Sequence, residues 1–227
     1  LIRDCCQCWA RLAFFLFYVS IGITGTPCEC KQLPTIINTY NNSQYSKIRF
    51  YLETFDHNQL KEHLVNHECD IIFSSNDDLP NAQDLVFNKL LTSHFVCVCH
   101  VQDPLTTKKV LSLEDLKNRN LIMIDEDWCS KEPIKLQRKV SQHFNYQNIT
   151  YVSSILVNFL MIKAGMGVSI LPDFVYDSTD PDLTTVPFDY DRFLEYGIVY
   201  NYNSLSQPGK RFIKWSELYK EFFRNSE

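Results

Sequence analysis

Residues 48–75 read IRFYLETFDHNQLKEHLVNHECDIIFSS, and this stretch decides the fold. Ile48 to Phe55 reads as a strand. It is closed by Asp56-His57-Asn58, a cluster of good N-cap residues for a helix over Gln59 to His67. Cys69 to Phe73 is then a short buried strand ending in Ser74-Ser75-Asn76. Toward the N-terminus, Leu33, Ile36, Ile37 and Tyr40 recur at helical spacing within Pro27 to Asn41, and Tyr18 to Thr24 reads as a strand before them. Strand, helix, strand, helix, strand in this rhythm predicts a parallel sheet with right-handed crossovers.

Toward the C-terminus the pattern restarts. Phe95 to His100 is a strand, Ser112 to Leu116 opens a short helix with a capping pattern, and Leu121 to Ile124 is a strand. Asp125-Glu126-Asp127-Trp128-Cys129 then leads into a helix reaching about His143. Ile149 to Val152 is a strand and Ser154 to Ala164 an apolar-faced helix. Gly165-Met166-Gly167 breaks that helix before a strand over Val168 to Leu171 and Pro172. Tyr196 to Tyr200 gives a late strand, and Gly209 to Arg224 an amphipathic terminal helix. Two α/β lobes of similar size follow, without an internal repeat.

The composition fits such a body. The chain has 227 residues, 45% of them hydrophobic and 22% charged, which excludes disordered, collagen-like and membrane-bundle classes. With 22 basic against 27 acidic side chains, its net charge of −5 argues against a chain that holds nucleic acid by itself. Because it starts at Leu1, it is expected to be a fragment of a longer chain.

The nine cysteines do not form a disulfide or zinc pattern. Cys69, Cys97 and Cys99 sit in apolar runs, where cysteine acts as a small hydrophobe. Cys5, Cys6, Cys8, Cys28, Cys30 and Cys129 show no recurring CxxC pair and no histidine at finger spacing. Structural or incidental thiols in a reducing cytoplasm are expected. The apolar run Leu12 to Ile23, behind Arg3 and Arg11, mimics a signal peptide. It is shorter than the roughly 20 residues a membrane span requires, and the preferred reading is a helix ending near Phe15 that feeds the strand Tyr18 to Thr24.

In open α/β sheets ligands bind beyond the carboxyl ends of the strands. Four such ends are rich in small polar groups: Thr24-Gly25-Thr26, Asp56-His57-Asn58, Ser74-Ser75-Asn76 and Asp125-Glu126-Asp127. Each alone reads as helix capping. Together, at the strand ends of two lobes, they point to a shared cleft.

The order of these motifs resembles the effector-binding domain of LysR-type transcriptional regulators, over about residues 15 to 225. The resemblance is carried by FYVSIGITGT (17–26), by the strand-helix-strand stretch above, by CVCHVQDPLTTKKVLSLEDLKNRNLIMI (97–124) around Pro104, Leu105, Asp115 and Leu116, and by VNFLMIKAGMGVSILP (157–172) through Ala164, Gly165, Gly167 and Pro172. Asp103 stands where that family usually has histidine. The resemblance implies two Rossmann-like lobes of the type 2 periplasmic-binding-protein kind, joined by crossover strands, with a ligand cleft between them. Residues 1–16 would end a linker helix, 17–95 with 198–227 would form lobe I, and 96–197 lobe II. The N-terminal winged helix-turn-helix is absent from this chain, so DNA would be met only through it.

The resemblance places a small-molecule effector against Thr24, Gly25, Thr26, Asp56, Ser74, Ser75, Glu126, Asp127 and Trp128. It also implies a cytoplasmic homodimer (a tetramer for the full-length protein) with no membrane, metal, cofactor or catalytic residue. The crowding of Asp56, Asp125, Glu126 and Asp127 favours an amine, a neutral polar ligand or a metal-bridged anion over a bare dianion. Apolar helix faces such as Leu33, Ile36, Ile37 and Tyr40 are the motive for pairing.

Two other classes compete. An extracytoplasmic solute-binding protein of a transport system shares the two-lobed plan. An enzyme would use His63 and His67, at i, i+4, or Cys129. Residues 64 to 66 are Leu, Val and Asn, so the helix is not His-Glu-x-x-His, and no base is placed beside Cys129.

Overall fold

The structure, a computed structural model, describes residues 18–44 and 48–218. The expected linker helix over 1–16, with Cys5, Cys6 and Cys8, lies outside the described residues, as does the terminal helix beyond Leu218.

The first lobe is built on a five-stranded sheet. Its members are β1 (Tyr18–Ile23), β2 (Arg49–Thr54), β3 (Ile71–Ser75), β4 (Leu85–Ser93) and β10 (Leu194–Asn201), in the order β2-β1-β3-β10-β4. β1 pairs in parallel with β2 and β3, as the strand-helix rhythm predicts. β10 runs antiparallel to both β3 and β4, so the sheet is mixed. Helices α1 (Pro27–Asn41) and α6 (Gln207–Leu218) cover one face. There Tyr40 packs edge-on against Phe50, Phe212 and Trp215 at centroid distances of 5.1–5.9 Å. Helix α2 (His57–Val65) covers the other face, burying Leu60 and Leu64 against Ile72 and Val199.

The second lobe repeats this three-layer plan. β5 (Phe95–His100) pairs antiparallel with β8 (Ser169–Pro172) and β9 (Leu183–Pro187), while β6 (Leu121–Ile124) pairs in parallel with β7 (Ile149–Val152). A bridge between Leu121 and Val168 joins the two groups. Two helices sandwich this surface. α4 (Lys131–Ser141), after the short α3 (Leu113–Leu116), buries Leu136 and Val140 on one side; α5 (Ile155–Lys163) buries Ile155, Phe159 and Ile162 on the other.

The expected two-lobed α/β architecture is therefore present, with two corrections. The sheets are not simply parallel, and β4 and β9 were not foreseen. Both crossovers between lobes run through this unforeseen part: β4 continues through Ser93 and His94 into β5, and the chain returns from β9 to β10. Asp173 pins the first crossover, accepting from the Ser93 hydroxyl at 2.6 Å and from the His94 N–H at 3.3 Å.

Leu33, Ile36 and Tyr40 are buried inside their own lobe and Ile37 is half-buried, so that helix face is not an unpartnered surface.

Candidate functional site

The carboxyl ends of β1 and β3 from the first lobe face that of β6 from the second. Between them opens a cleft lined from both lobes, the kind of place where small molecules bind. Its first-lobe wall includes Thr24, Thr26, His57, Ser74, Ser75 and Tyr196. Its second-lobe wall includes Trp128, Cys129, Ser130, Gln137 and Phe174 together with isoleucine and leucine side chains. No Lys, Arg, Asp or Glu side chain lines it among the described residues.

The turn after β1 is organised by a residue the sequence reading passed over. Thr26 is the N-cap of α1, and its hydroxyl accepts from the Glu29 N–H at 3.3 Å. Glu29 reaches back, accepting from the Thr26 N–H at 2.8 Å, the Thr24 N–H at 3.4 Å and the Thr24 hydroxyl at 3.2 Å. The Tyr196 hydroxyl, from β10, donates a further bond to the same carboxyl. This is a capping box, and the T-x-x-E spacing of residues 26 to 29 was the available signal. Glu29 is 2% exposed, and burial raises its pKa against the lowering effect of these hydrogen bonds. Thr26 is thus a buried cap.

At the end of β3 the Ser74 hydroxyl is buried in the cleft wall without a hydrogen-bond partner. The next two acidic residues cross to the other lobe. Asp77 accepts from the Glu132 N–H in the first turn of α4 at 2.6 Å. Asp78 meets Lys61 of its own lobe at 2.7 Å, Lys131 of the other at 2.9 Å, and His57 at 3.3 Å. Burial tends to raise the Asp78 pKa, but the bonds from His57, Lys61 and Lys131 more than offset this and hold it well below the usual carboxylate range.

On the opposite wall, Ser130 is the N-cap of α4 without a side-chain capping bond. Gln137 donates its amide N–H to the Cys129 sulfur at 3.4 Å, and its side-chain carbonyl oxygen is buried without a partner. Burial pushes the Cys129 thiol up to about 12, which keeps it a neutral, unreactive side chain at ordinary pH.

Of the nine residues anticipated as ligand contacts, Thr24, Thr26, Ser74, Ser75 and Trp128 meet in the cleft lining. The other four are elsewhere engaged or offset. Gly25 lies in the turn at positive φ. Asp56 caps α2, accepting from the Gln59 N–H at 2.8 Å. Glu126 is exposed and held by Arg138 through two bonds of 2.5 and 2.7 Å. Asp127 accepts from Asn58 across the lobes at 3.1 Å. The anticipated crowding of acid does not reach the cleft wall.

The two helix histidines also separate. His63 stacks on Phe55 at 4.0 Å and pairs with Glu68, while His67 sits beyond the helix at φ 59°. Among the described residues no cluster of three metal-ligating side chains occurs. Nor is any described helix long and apolar enough to cross a membrane.

With this geometry in hand, comparison with known proteins gives consistent matches. Residues 18–218 match the family described as LysR substrate binding domain. The transcriptional dual regulator GltC of Bacillus subtilis (strain 168) is 23% identical over 176 residues, 76% of this chain and 56% of that protein. The chain thus spans little more than half the length of that relative. The effector binding domain of QuiR in complex with shikimate superposes with a TM-score of 0.73 at 16% identity, over 91% of this chain and 98% of that one. The CcmR regulatory domain of Synechocystis PCC6803 in complex with 2-PG gives 0.72 at 19% identity, over 89% and 97%. These likenesses show a shared fold of the periplasmic-binding-protein-like type.

Proposed function

The chain belongs to the LysR substrate binding domain family, and from that premise we propose that it senses a small molecule in the cleft between its lobes and thereby controls DNA binding by a longer regulator. It is an effector-binding domain of the LysR type, and a solute-binding protein of a transport system is not favoured. The observation that carries the sensing role is that buried polar atoms without a hydrogen-bond partner stand in the cleft wall on both lobes. The Ser74 hydroxyl stands on one lobe and the Gln137 carbonyl oxygen on the other. Each leaves a hydrogen bond unmade that a ligand can supply.

Ligand contact is assigned to Thr24, Thr26, Ser74, Ser75 and Trp128. A molecule touching both lobes stabilises one lobe arrangement over others, which is the differential affinity a switch requires. The parent would reach DNA through an N-terminal domain, work as a cytoplasmic homodimer and catalyse nothing. The buried, high-pKa Cys129 and the dispersed histidines support the last point. For pairing, Leu156 and Leu160 of α5 with Tyr151 of β7, and Leu52 on edge strand β2, supply exposed apolar surface in place of the buried α1 face.

Thermal-shift screening with small metabolites tests the role, because binding to the native state alone raises apparent stability by about 2.7 kcal/mol at a hundred times Kd. A hit whose effect survives Trp128→Ala and Ser74→Ala unchanged would place binding outside the cleft and remove the proposal.

A further inference from the structure

A cleft of this kind ordinarily offers an anion two receptive places: the N–H groups of a strand-to-helix turn and the free N–H groups at a helix start. Here the chain itself engages amides at both. The Thr24 and Thr26 amides after β1 are bonded to the buried carboxyl of Glu29. In the first turn of α4, the Glu132 amide is bonded to Asp77, and the next residue, Pro133, has no N–H to offer. No Lys or Arg side chain lines the cleft among the described residues, and the His57 imidazole in its wall faces Asp78 at 3.3 Å.

What is left open is different in kind. The walls are mostly apolar and aromatic, with Phe73, Trp128 and Phe174 among them. The buried side-chain polar atoms of the lining without a hydrogen-bond partner are the Ser74 hydroxyl, the Gln137 amide carbonyl oxygen and the His57 Nε2, the last of which lies 3.3 Å from the Asp78 carboxylate. A hydroxyl can donate or accept, whereas an amide oxygen only accepts. A carboxylate or phosphate placed there would find serine hydroxyls but no Lys or Arg side chain to neutralise it, while the Gln137 oxygen would face it with repulsion. An anion desolvated without adequate partners is strongly disfavoured.

We propose that the cleft selects an uncharged, largely apolar molecule that donates a hydrogen bond to Gln137 and shares another with Ser74, because Glu29 and Asp77 already occupy the amides that would otherwise hold an anion. An aromatic primary amide is the simplest molecule with this pattern. This inference rests on the cleft being the effector site, and it differs from the ligand classes drawn from the acidic turns, since those acids do not line the wall.

Benzamide and benzoate have nearly the same shape and differ in charge, so they serve as the probes. Each is titrated into the full 227-residue chain, and the methyl resonances of Ile124, Ile155 and Ile170, all in the lining, report where it binds. The expected result is that benzamide shifts these methyls with an affinity about tenfold or more above that of benzoate. Asp77→Ala, which frees the Glu132 amide, should narrow that preference; Glu29→Ala, if it folds, should narrow it further.

Benzoate shifting the same methyls as tightly as benzamide would overturn the ligand class while leaving the cleft as the effector site. A preference unchanged in Asp77→Ala would overturn the role given to the internal carboxylates. If neither probe moves these methyls at millimolar concentration, the ligand class and the effector-site reading both fall.

Discussion

The Asp77 carboxylate, just past the third strand of one lobe, accepts a 2.6 Å hydrogen bond from the backbone N–H of Glu132, in the first turn of α4 on the other. A side chain from one lobe therefore caps a helix of its neighbour. Ser130, the residue at the N-cap position itself, leaves that role unfilled. Beside this bond, Asp78 joins Lys61 and Lys131 from the two lobes. Together they clasp one rim of the cleft, so the separation of the walls is set partly by two adjacent carboxylates.

Removing the cap should loosen that rim. Asp77→Ala leaves the Glu132 amide without its acceptor and should cost about 1 kcal/mol, in the range of ordinary N-cap losses. Urea unfolding measures the loss, and small-angle scattering should show a slightly more open pair of lobes. Unchanged stability and unchanged scattering would mean that the clasp contributes nothing.

Asp78 makes a pH-dependent contribution of defined sign. Its pKa is lowered in the folded state, so its stabilisation is present above the ordinary value of 3.8 and is lost as pH falls through the lower folded value. Asp78→Asn should cost about 2 kcal/mol near neutrality, because Lys61 and Lys131 lose a buried partner. It should also flatten the acid limb of the stability curve. An acid limb as steep in Asp78→Asn as in the parent chain would assign the acid sensitivity to other carboxyls.

Glu29 should behave in the opposite sense. Burial, the largest influence, raises its pKa above 4.5 in the fold, so the native state holds this proton more tightly than the unfolded chain. The associated stability is fully present below the unfolded value and is lost as pH rises through the folded one. Glu29→Gln should remove that decline at the cost of one hydrogen bond of the turn, since the amide NH2 cannot accept as the second carboxyl oxygen does. The check is the unfolding free energy of the parent minus that of the variant, which should fall as pH rises above the ordinary value of 4.5.

The parts of the fold legible in the sequence are those written in local chemistry. Asp56, Ser112 and Ser154 each precede a helix and each caps it in the structure. The strands 95–100, 121–124 and 149–152 have the bounds that their apolar runs predict. β4 escaped because LVFNKLLTS is half-buried along most of its length and shows neither clean alternation nor a continuous apolar run. The antiparallel direction of β10 is a tertiary fact with no local signature.

The site divides in the same way. Thr24, Ser74, Ser75 and Trp128 sit at strand ends, which sequence order can locate. Tyr196, by contrast, reaches Glu29 across 167 positions, and Gln137 enters the cleft from a helix turn far along the chain. The acidic turn 125–127 misled because Glu126 and Asp127 are engaged outside the lining, by Arg138 and Asn58. Asp103, the departure from the family pattern, is likewise explained by its surroundings: it caps the following turn at the Leu105 N–H, 2.9 Å away, and bonds Arg119.

The glycine pair after α5 separates two kinds of cost. Gly165 adopts φ +70°, and an added Cβ would meet nothing within 4 Å, so Gly165→Ala should lose about 1 kcal/mol to backbone strain alone. At Gly167 an added Cβ would stand 2.4 Å from the Asn120 carbonyl oxygen, which accepts the Val168 N–H at 2.9 Å. Gly167→Ala should therefore cost more, about 2–3 kcal/mol, by forcing β6 from β8. Equal losses in urea unfolding would show that the close approach relaxes freely.

Ser74 separates binding from folding most cleanly. Thr26 would be a poor probe, because its hydroxyl accepts from Glu29 and its loss should cost about 1 kcal/mol of stability on its own account. The Ser74 hydroxyl has no partner inside the protein, yet the residue is 2% exposed. Ser74→Ala therefore removes a buried polar group that is unsatisfied in the free chain, and stability should hold or rise slightly. Once a ligand fills the cleft, the same hydroxyl has a partner, and its removal should weaken binding by about 1–3 kcal/mol. Calorimetric titration of the ligand, beside urea unfolding of the free chain, reads the two effects separately. Lower affinity with undiminished stability is the expected pair. Unchanged affinity would remove Ser74 from the ligand contacts, and lost stability would mean that its hydroxyl is satisfied within the fold.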